Sequence, residues 1–436
     1  MLTTLSSLPI KPITHPLNAT VRVSGSKSLT NRALLIAALA DGTTRITNAL
    51  FSDDSKYFAK ALQTLGFDIQ LDEANHEMTV TGLGGKIPAN KAELFIGNAG
   101  TAARFLSAFL TLGSGEYILD GEPRMRERPI GDLVDALHQL GVEIDSLSAR
   151  ERDGVREICP PVEIFAKGLL GGKTKIAGNI SSQFLSALLM VAPYAQSPIE
   201  IELTTDLNSK PYVDMTISIM KDFGVEVERN GYQSFTVRPS LYSLVSTYSI
   251  ESDASAAAYF FAAPAICGGT IRVENISRKS KQGDIAFLDV LRQMGCNIEE
   301  TDNSILVTRY SSLVGIDVDM RDISDTAQTL AAVAPFASSP TRIRGIASAR
   351  VKETDRVHAT CTELQRLGVQ VEEREDGMTI YPCRTFQPVN IQTYNDHRMA
   401  MAFSLIGLRF DGVTIENPAC VSKTFPNYFE VLESLR

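Results

Sequence analysis

Five times along this chain an apolar helical pattern stops at a single glycine and a short alternating run follows. The copies read Leu65-Gly-Phe-Asp-Ile, Leu140-Gly-Val-Glu-Ile, Phe223-Gly-Val-Glu-Val, Met294-Gly-Cys-Asn-Ile and Leu367-Gly-Val-Gln-Val. Their glycines, at 66, 141, 224, 295 and 368, lie 71 to 83 residues apart. Glycine takes the left-handed position that ends a helix, and the alternation after it reads as a strand. In several copies a polar turn and a second strand follow, as at 75–77 then 78–81 and at 375–377 then 378–381. Helix–Gly–strand is common in α/β proteins, but five copies at near-constant period point to a repeated unit.

A second set of segments shares the frame. Residues 29–39 after Ser26, 102–112 after Gly100, 183–192 after Ser181, 254–265 after Ser252, 326–337 after Ser324, and 398–408 are apolar nearly all round. Such helices are buried on most sides, and the serines before them predict side-chain caps. A chain of 436 residues exceeds what one core organises. Six units split between two domains suggest three units per domain. The tract 239–247 is expected to cross between the halves.

Composition narrows the function. At 44% hydrophobic and 21% charged the chain reads as an ordinary soluble globular protein, and no apolar run reaches the length of a membrane span. The start, Met1-Leu-Thr-Thr-Leu, lacks signal-peptide and transit-peptide features, so the cytoplasm is expected. The six cysteines are dispersed without a Cys-x-x-Cys pair, which argues against structural zinc or a disulfide framework. A net charge of −9, no Trp and 7% aromatics argue against a nucleic-acid binder. An acidic chain that concentrates Arg and Lys in a few short motifs focuses them on a small anion.

Those motifs are discrete. Val23-Ser-Gly-Ser-Lys-Ser-Leu-Thr-Asn-Arg32 is a Gly/Ser loop that opens a helix, without the spacing of a nucleotide-binding P-loop; a simple phosphate ester suits it. Gly97-Asn-Ala-Gly-Thr-Ala-Ala-Arg104 places Gly100 and Thr101 at a second helix start, which serves either an anion or a tight turn with a packing glycine. Asp120-Gly-Glu-Pro-Arg-Met-Arg-Glu-Arg-Pro129 crowds Arg124, Arg126 and Arg128 into one loop, as carboxylate or phosphate recognition requires and as plain surface charge also does. Gly178-Asn-Ile-Ser-Ser-Gln-Phe184 and Ser209-Lys-Pro-Tyr212 add hydroxyls, an amide, an amine and a phenol. Asp325 reads as a helix-start acid whose plain role is capping. Arg350-Val-Lys-Glu-Thr-Asp-Arg356 puts five charges in seven residues between an extended segment and a helical one. Asn395-Asp-His-Arg398 opens the last apolar helix, and Lys423 stands in Ser-Lys-Thr-Phe-Pro.

Taken in order, these stretches span the whole chain, and the chain resembles the 5-enolpyruvylshikimate-3-phosphate synthase family. Its most specific pieces are Asn98-Ala-Gly-Thr, Glu122-Pro-Arg-Met-Arg-Glu-Arg-Pro, Arg350-Val-Lys-Glu-Thr-Asp-Arg and Asn395-Asp-His-Arg-Met-Ala-Met. The resemblance implies an α+β fold of two similar domains, each of three βαβαββ units (the enolpyruvyl transferase α/β prism), with the active site in the interdomain cleft. It also implies that residues 1–24 rejoin 252–436, the domain of the acid/base pair, while 25–251 bind shikimate-3-phosphate. The implied reaction joins phosphoenolpyruvate to shikimate-3-phosphate and releases phosphate. No metal or organic cofactor is called for, and a monomer without nucleic-acid or membrane partners is expected.

Residue roles follow from the same resemblance. Lys27, Ser28, Arg32, Ser181, Ser182, Gln183, Ser209, Tyr212, Asp325, Ser348 and Lys352 correspond to the shikimate-3-phosphate site. Lys27, Gly100, Thr101, Arg128, Gln183, Glu353, Arg356, His397, Arg398 and Lys423 correspond to the phosphoenolpyruvate site. Asp325, Glu353 and Lys27 match the catalytic set. Two positions depart from the family pattern: Ser348 stands where Asn is usual, and Phe105 where many bacterial members have Pro. Gly100 predicts that glyphosate fits. The sister transferase acting on UDP-N-acetylglucosamine usually has a reactive Cys in the loop corresponding to 121–129, and this loop has none. A phosphate-ester binding protein would not require both Asp325 and Glu353, and the charge balance disfavours a nucleic-acid end-processing protein.

Overall fold

The computed structural model describes residues 5–147, 150–152 and 155–436, with 150–152 and 155–157 by backbone alone. All five repeat glycines adopt positive φ: 95° at Gly66, 80° at Gly141, 81° at Gly224, 106° at Gly295 and 84° at Gly368. The residue after each closes the same bond back across the helix end. Phe67 N–H donates to Leu62 O (3.1 Å), Val142 to Leu137 (3.1 Å), Val225 to Met220 (3.0 Å), Cys296 to Leu291 (3.0 Å) and Val369 to Leu364 (2.9 Å). Both partners of every pair are buried. The hydrogen bond satisfies an orphan carbonyl, and the apolar contact seals the turn before the strand begins.

Five four-stranded sheets share one strand order, an outer strand parallel to its neighbour and the remainder antiparallel. In one, Lys91–Phe95 runs parallel to Ser114–Asp120, which pairs antiparallel with Val162–Lys167 and that with Glu143–Ser146. Two sheets take their outer strand from far along the chain. Thr247–Ser249 pairs parallel with Asp41–Thr47, in the register Tyr248 to Ile46, and Leu17–Arg22 pairs with Gly269–Glu274, in the register Leu17 to Gly269. Two further sheets are smaller: Val389–Ile391 runs parallel to Val413–Glu416, which pairs antiparallel with Ser7–Pro9, and Arg150–Arg152 pairs antiparallel with Val155–Glu157. Each four-stranded sheet thus has the strand complement of one βαβαββ unit, and the three-stranded sheet lacks one strand of it.

The chain forms two compact units: the N-terminal segment to Ser24 with Glu251–Arg436, and Gly25–Ile250. Each has its own apolar core. In Gly25–Ile250 the buried helix Gly100–Leu110 packs on both Lys27–Leu39 and Ser182–Val191. In the other unit Ala254–Cys267, Ala327–Val333 and His397–Gly407 contact one another. These six are the helices read from the sequence as apolar on all sides.

Their caps differ from the expectation. Ser26 and Ser181 do cap, accepting from Leu29 N–H and Gln183 N–H. At the helix Ala254–Cys267 the cap is Asp253, because the Ser252 hydroxyl is turned to the Val23 carbonyl (3.3 Å). Asp396 caps the helix His397–Gly407, Ser324 lies in a 3-10 turn, and Gly100–Leu110 starts without a side-chain cap. The tract 239–247 belongs wholly to Gly25–Ile250, where Tyr242 is buried and its hydroxyl donates to Met190 O (2.9 Å).

Candidate active site

In Gly25–Ile250 the candidate residues stand at helix starts, where backbone N–H groups are unpaired within the helix. Lys27 opens its helix beside the buried Asp54 carboxylate, 3.3 Å away. Arg32, one turn on, is 1% exposed. Its Nε donates to Thr216 Oγ1 (2.7 Å), Nη1 to Ser28 O (2.9 Å) and Nη2 to Tyr212 O (3.2 Å). Ser209, at φ 57°, precedes the helix Lys210–Asp222, whose second residue is Pro211. Gln183 donates from Nε2 to Thr101 Oγ1 (3.3 Å), so the starts of two apolar helices are tied together.

Gly100 has a steric reason to lack a side chain. A Cβ there would lie 2.4 Å from Nη2 of Arg128, whose Nη1 donates to the Asn98 carbonyl and to Asn98 Oδ1 (3.1 Å each). The glycine lets a buried guanidinium lie against the start of the helix Gly100–Leu110. Of the other arginines in that loop, Arg126 pairs with Asp120 (2.6 Å) and Arg124 with Glu127 (2.9 Å), so both serve loop structure.

In the other unit Asp325 is the hub. Its Oδ1 accepts from Lys352 Nζ (2.7 Å) and Arg356 Nη1 (3.2 Å), and its Oδ2 from Arg398 Nη2 (2.7 Å). Burial pushes this carboxyl up, and Arg398, Lys352 and Arg356 together outweigh burial, holding it well below the usual carboxylate range. Arg356 is itself clamped. Its Nε donates to Asp396 Oδ2 (2.7 Å) and its Nη2 to Glu353 Oε2 (2.7 Å). Burial disfavours its charge, yet Asp396, Glu353 and Asp325 raise its pKa. Lys423 Nζ stands 3.9 Å from Glu353 Oε1. His397 is 1% exposed, with Nδ1 3.6 Å from Asp396 Oδ1.

The heptapeptide at 350–356 divides its labour. Arg350 Nη1 pairs with Asp355 (2.8 Å) and Glu373 (2.9 Å), and Asp355 caps the helix Arg356–Arg366. Lys352, Glu353 and Arg356 join the Asp325 cluster instead. Ser348 is half-buried in the preceding 3-10 turn, Ala347–Val351. The turn Ser324–Thr326 that holds Asp325 has no side-chain cap, and where capping was the plain reading the Asp325 oxygens accept from three cations.

The sequence reading assigned no role to Asp284 or Asp396. Asp284 is buried and accepts from the Ser255 hydroxyl. Burial, and then the charge of Asp325, push its carboxyl up to about 6. Asp396 was visible within the Asn395–Arg398 motif, whereas Asp284 had no local signal. Among the described residues no group of three or more His, Cys, Asp or Glu is placed to hold a metal, and no helix is long and apolar enough to cross a membrane.

The fold extends to solved proteins. The enolpyruvyl transferase NikO from Streptomyces tendae superposes with a TM-score of 0.75 at 18% identity, over 98% of this chain and 97% of that one. The architecture is therefore that of the enolpyruvyl transferases. EPSP synthase from Acinetobacter baumannii superposes with a TM-score of 0.81 at 26% identity, covering 99% of this chain and 98% of that one. The 3-phosphoshikimate 1-carboxyvinyltransferases of Sulfurovum sp. (strain NBC37-1) and Nostoc punctiforme are 51% and 49% identical, over 99% and 98% of each chain. Residues 11–432 match the EPSP synthase (3-phosphoshikimate 1-carboxyvinyltransferase) family, and the chain belongs to it.

Proposed function

We propose that the cluster around Asp325 and the helix starts of Gly25–Ile250 carry the family reaction. That reaction transfers the enolpyruvyl group of phosphoenolpyruvate to the 5-hydroxyl of shikimate-3-phosphate and releases phosphate, in the shikimate route to aromatic amino acids. The observation that carries the residue assignment is the pairing of two carboxylates, Asp325 and Glu353, with four cations, Lys352, Arg356, Arg398 and Lys423.

Shikimate-3-phosphate is held by Lys27, Ser28, Arg32, Ser181, Ser182, Gln183, Ser209 and Tyr212, with Asp325, Ser348 and Lys352. Phosphoenolpyruvate is held by Lys27, Gly100, Thr101, Arg128, Gln183, Glu353, Arg356, His397, Arg398 and Lys423. The carboxylate and phosphate of phosphoenolpyruvate compete with Asp325 for Arg356 and Arg398. As those cations turn to the substrate, the Asp325 carboxylate becomes more basic and accepts the proton of the 5-hydroxyl while that oxygen bonds to C2. Glu353 gives a proton to C3. The tetrahedral intermediate then returns a C3 proton to the Glu353 carboxylate as the bond from C2 to the phosphate oxygen breaks, forming the enol ether. Arg and Lys neutralise the departing phosphate. Lys27 completes the proposed catalytic set.

Phosphate release from phosphoenolpyruvate, with shikimate-3-phosphate or with UDP-N-acetylglucosamine as acceptor, tests the reading. Release with the first alone supports it; release with the sugar nucleotide assigns the sister reaction. We place the protein in the cytoplasm as a monomer acting on small molecules, without nucleic-acid or membrane partners. Light scattering at assay concentration that gave a dimer mass would overturn the monomer.

A further inference from the structure

Arg32 heads the fully buried side chains by volume and faces no carboxylate among the described residues. Its donors end on neutral acceptors: Thr216 Oγ1 (2.7 Å), Ser28 O (2.9 Å), Tyr212 O (3.2 Å) and Ser186 Oγ (3.4 Å). Thr216 Oγ1 lies 2.9 Å from both Ser186 Oγ and Tyr212 O, so its one proton serves either. The guanidinium carbon stands 5.2 Å from the centroid of the Phe105 ring. Burial draws the Arg32 pKa down to about 10, so the group stays charged at neutral pH.

A buried cation is costly unless something offsets the lost hydration. Here the offset comes from hydroxyl and carbonyl dipoles and from the negative face of an aromatic ring, whose attraction grows when water is excluded. Four helices supply the enclosure: Lys27–Leu39 bears Arg32, Gly100–Leu110 bears Phe105, Ser182–Val191 bears Ser186, and Lys210–Asp222 bears Thr216. Through the two carbonyls Arg32 also joins Ser28 to Tyr212, two residues assigned above to the same substrate. The arrangement leaves the positive charge for an anion and fixes where that anion is met.

We infer that Phe105 and Thr216 are positioning residues for shikimate-3-phosphate, fixing the Arg32 guanidinium and through it the affinity for the phosphate ester. Phe105 acts through its ring face and Thr216 through the acceptor it offers Nε. This rests on the reading that Arg32 contacts shikimate-3-phosphate, and the experiment separates the two. Phosphate-release kinetics are measured for Phe105→Leu, Thr216→Val, the conservative Phe105→Tyr and Thr216→Ser, and Arg32→Met, with thermal melts of each.

Phe105→Leu and Thr216→Val are each expected to raise the KM for shikimate-3-phosphate about tenfold. The KM for phosphoenolpyruvate and kcat should stay within about twofold, and the conservative variants should restore the KM. Leu and Val keep most of the volume, so either variant alone decides if the other does not fold. A lowered Tm with both KM values and kcat unmoved would make the cage merely structural and overturn the inference. If Arg32→Met leaves the KM for shikimate-3-phosphate unchanged, the assignment of Arg32 fails. If Arg32→Met raises it and the cage variants do not, only the positioning claim fails.

Discussion

Asp325 sits where three cations meet, and that governs what it can do before substrate arrives. A carboxylate held well below its ordinary pKa is a poor base. Its basicity has to come from substrate anions drawing Arg356 and Arg398 away. Asp325→Asn should therefore lower kcat by about 10²-fold or more, with folding retained in a thermal melt. Gly100→Ala should raise the KM for phosphoenolpyruvate, since the new methyl meets Arg128 Nη2 at 2.4 Å; unchanged kinetics would remove Gly100 and Arg128 from that substrate's site. Stability carries opposite signatures at two neighbouring carboxyls. The lowered pKa of Asp325 gives stability that is present above about pH 4 and lost as pH falls through its folded value. Asp284, pushed up to about 6, does the reverse: its cost is absent below about pH 4, grows as pH rises towards 6 and is full above that. Asp284→Asn should be more stable than the parent by up to about 3 kcal/mol at pH 8, with the gap closing at about pH 4, as denaturant melts at the two pH values would show.

The helix–Gly–strand element was legible because its determinants are adjacent in sequence. One glycine supplies the left-handed backbone, and the apolar residues on either side supply the seal. Gly141 and Gly66 separate backbone from packing. At Gly141 the nearest side-chain atom to a new Cβ is Leu170 Cδ1 at 3.5 Å, so Gly141→Ala should cost only the backbone strain, about 1–2 kcal/mol in urea melts. At Gly66 the Pro88 ring lies 2.9 Å away, and the loss should be larger. Equal losses would mean that the Pro88 loop yields freely. The caps were less legible, because a serine before a helix has other partners: Ser252 goes to Val23 and leaves the cap to Asp253. Thr216 and Ser186 were missed for a related reason. A hydroxyl inside an apolar helix gives no sign of its partner, and theirs is an arginine 184 and 154 positions away in the sequence.

At the scale of the whole molecule the apolar helices pointed to six similar units, and the structure shows how their first strands are found. Leu17–Arg22 and Thr247–Ser249 each complete a sheet begun far away in sequence, and no local pattern specifies such parallel pairing. The resemblance implied only that residues 1–24 rejoin 252–436; nothing in the sequence pointed to the pairing of Thr247–Ser249 with Asp41–Thr47. The charge cluster is similar: Lys352, Arg356 and Arg398 were each visible as motif residues, yet only the fold brings them onto Asp325. The measurement that bears most directly on the account is phosphate release from phosphoenolpyruvate and shikimate-3-phosphate, comparing the parent with Glu353→Gln. The account predicts release with this acceptor and a fall in kcat of about 10²-fold or more in the variant. Equal turnover by a folded Glu353→Gln would contradict the acid/base assignment at the centre of the cluster.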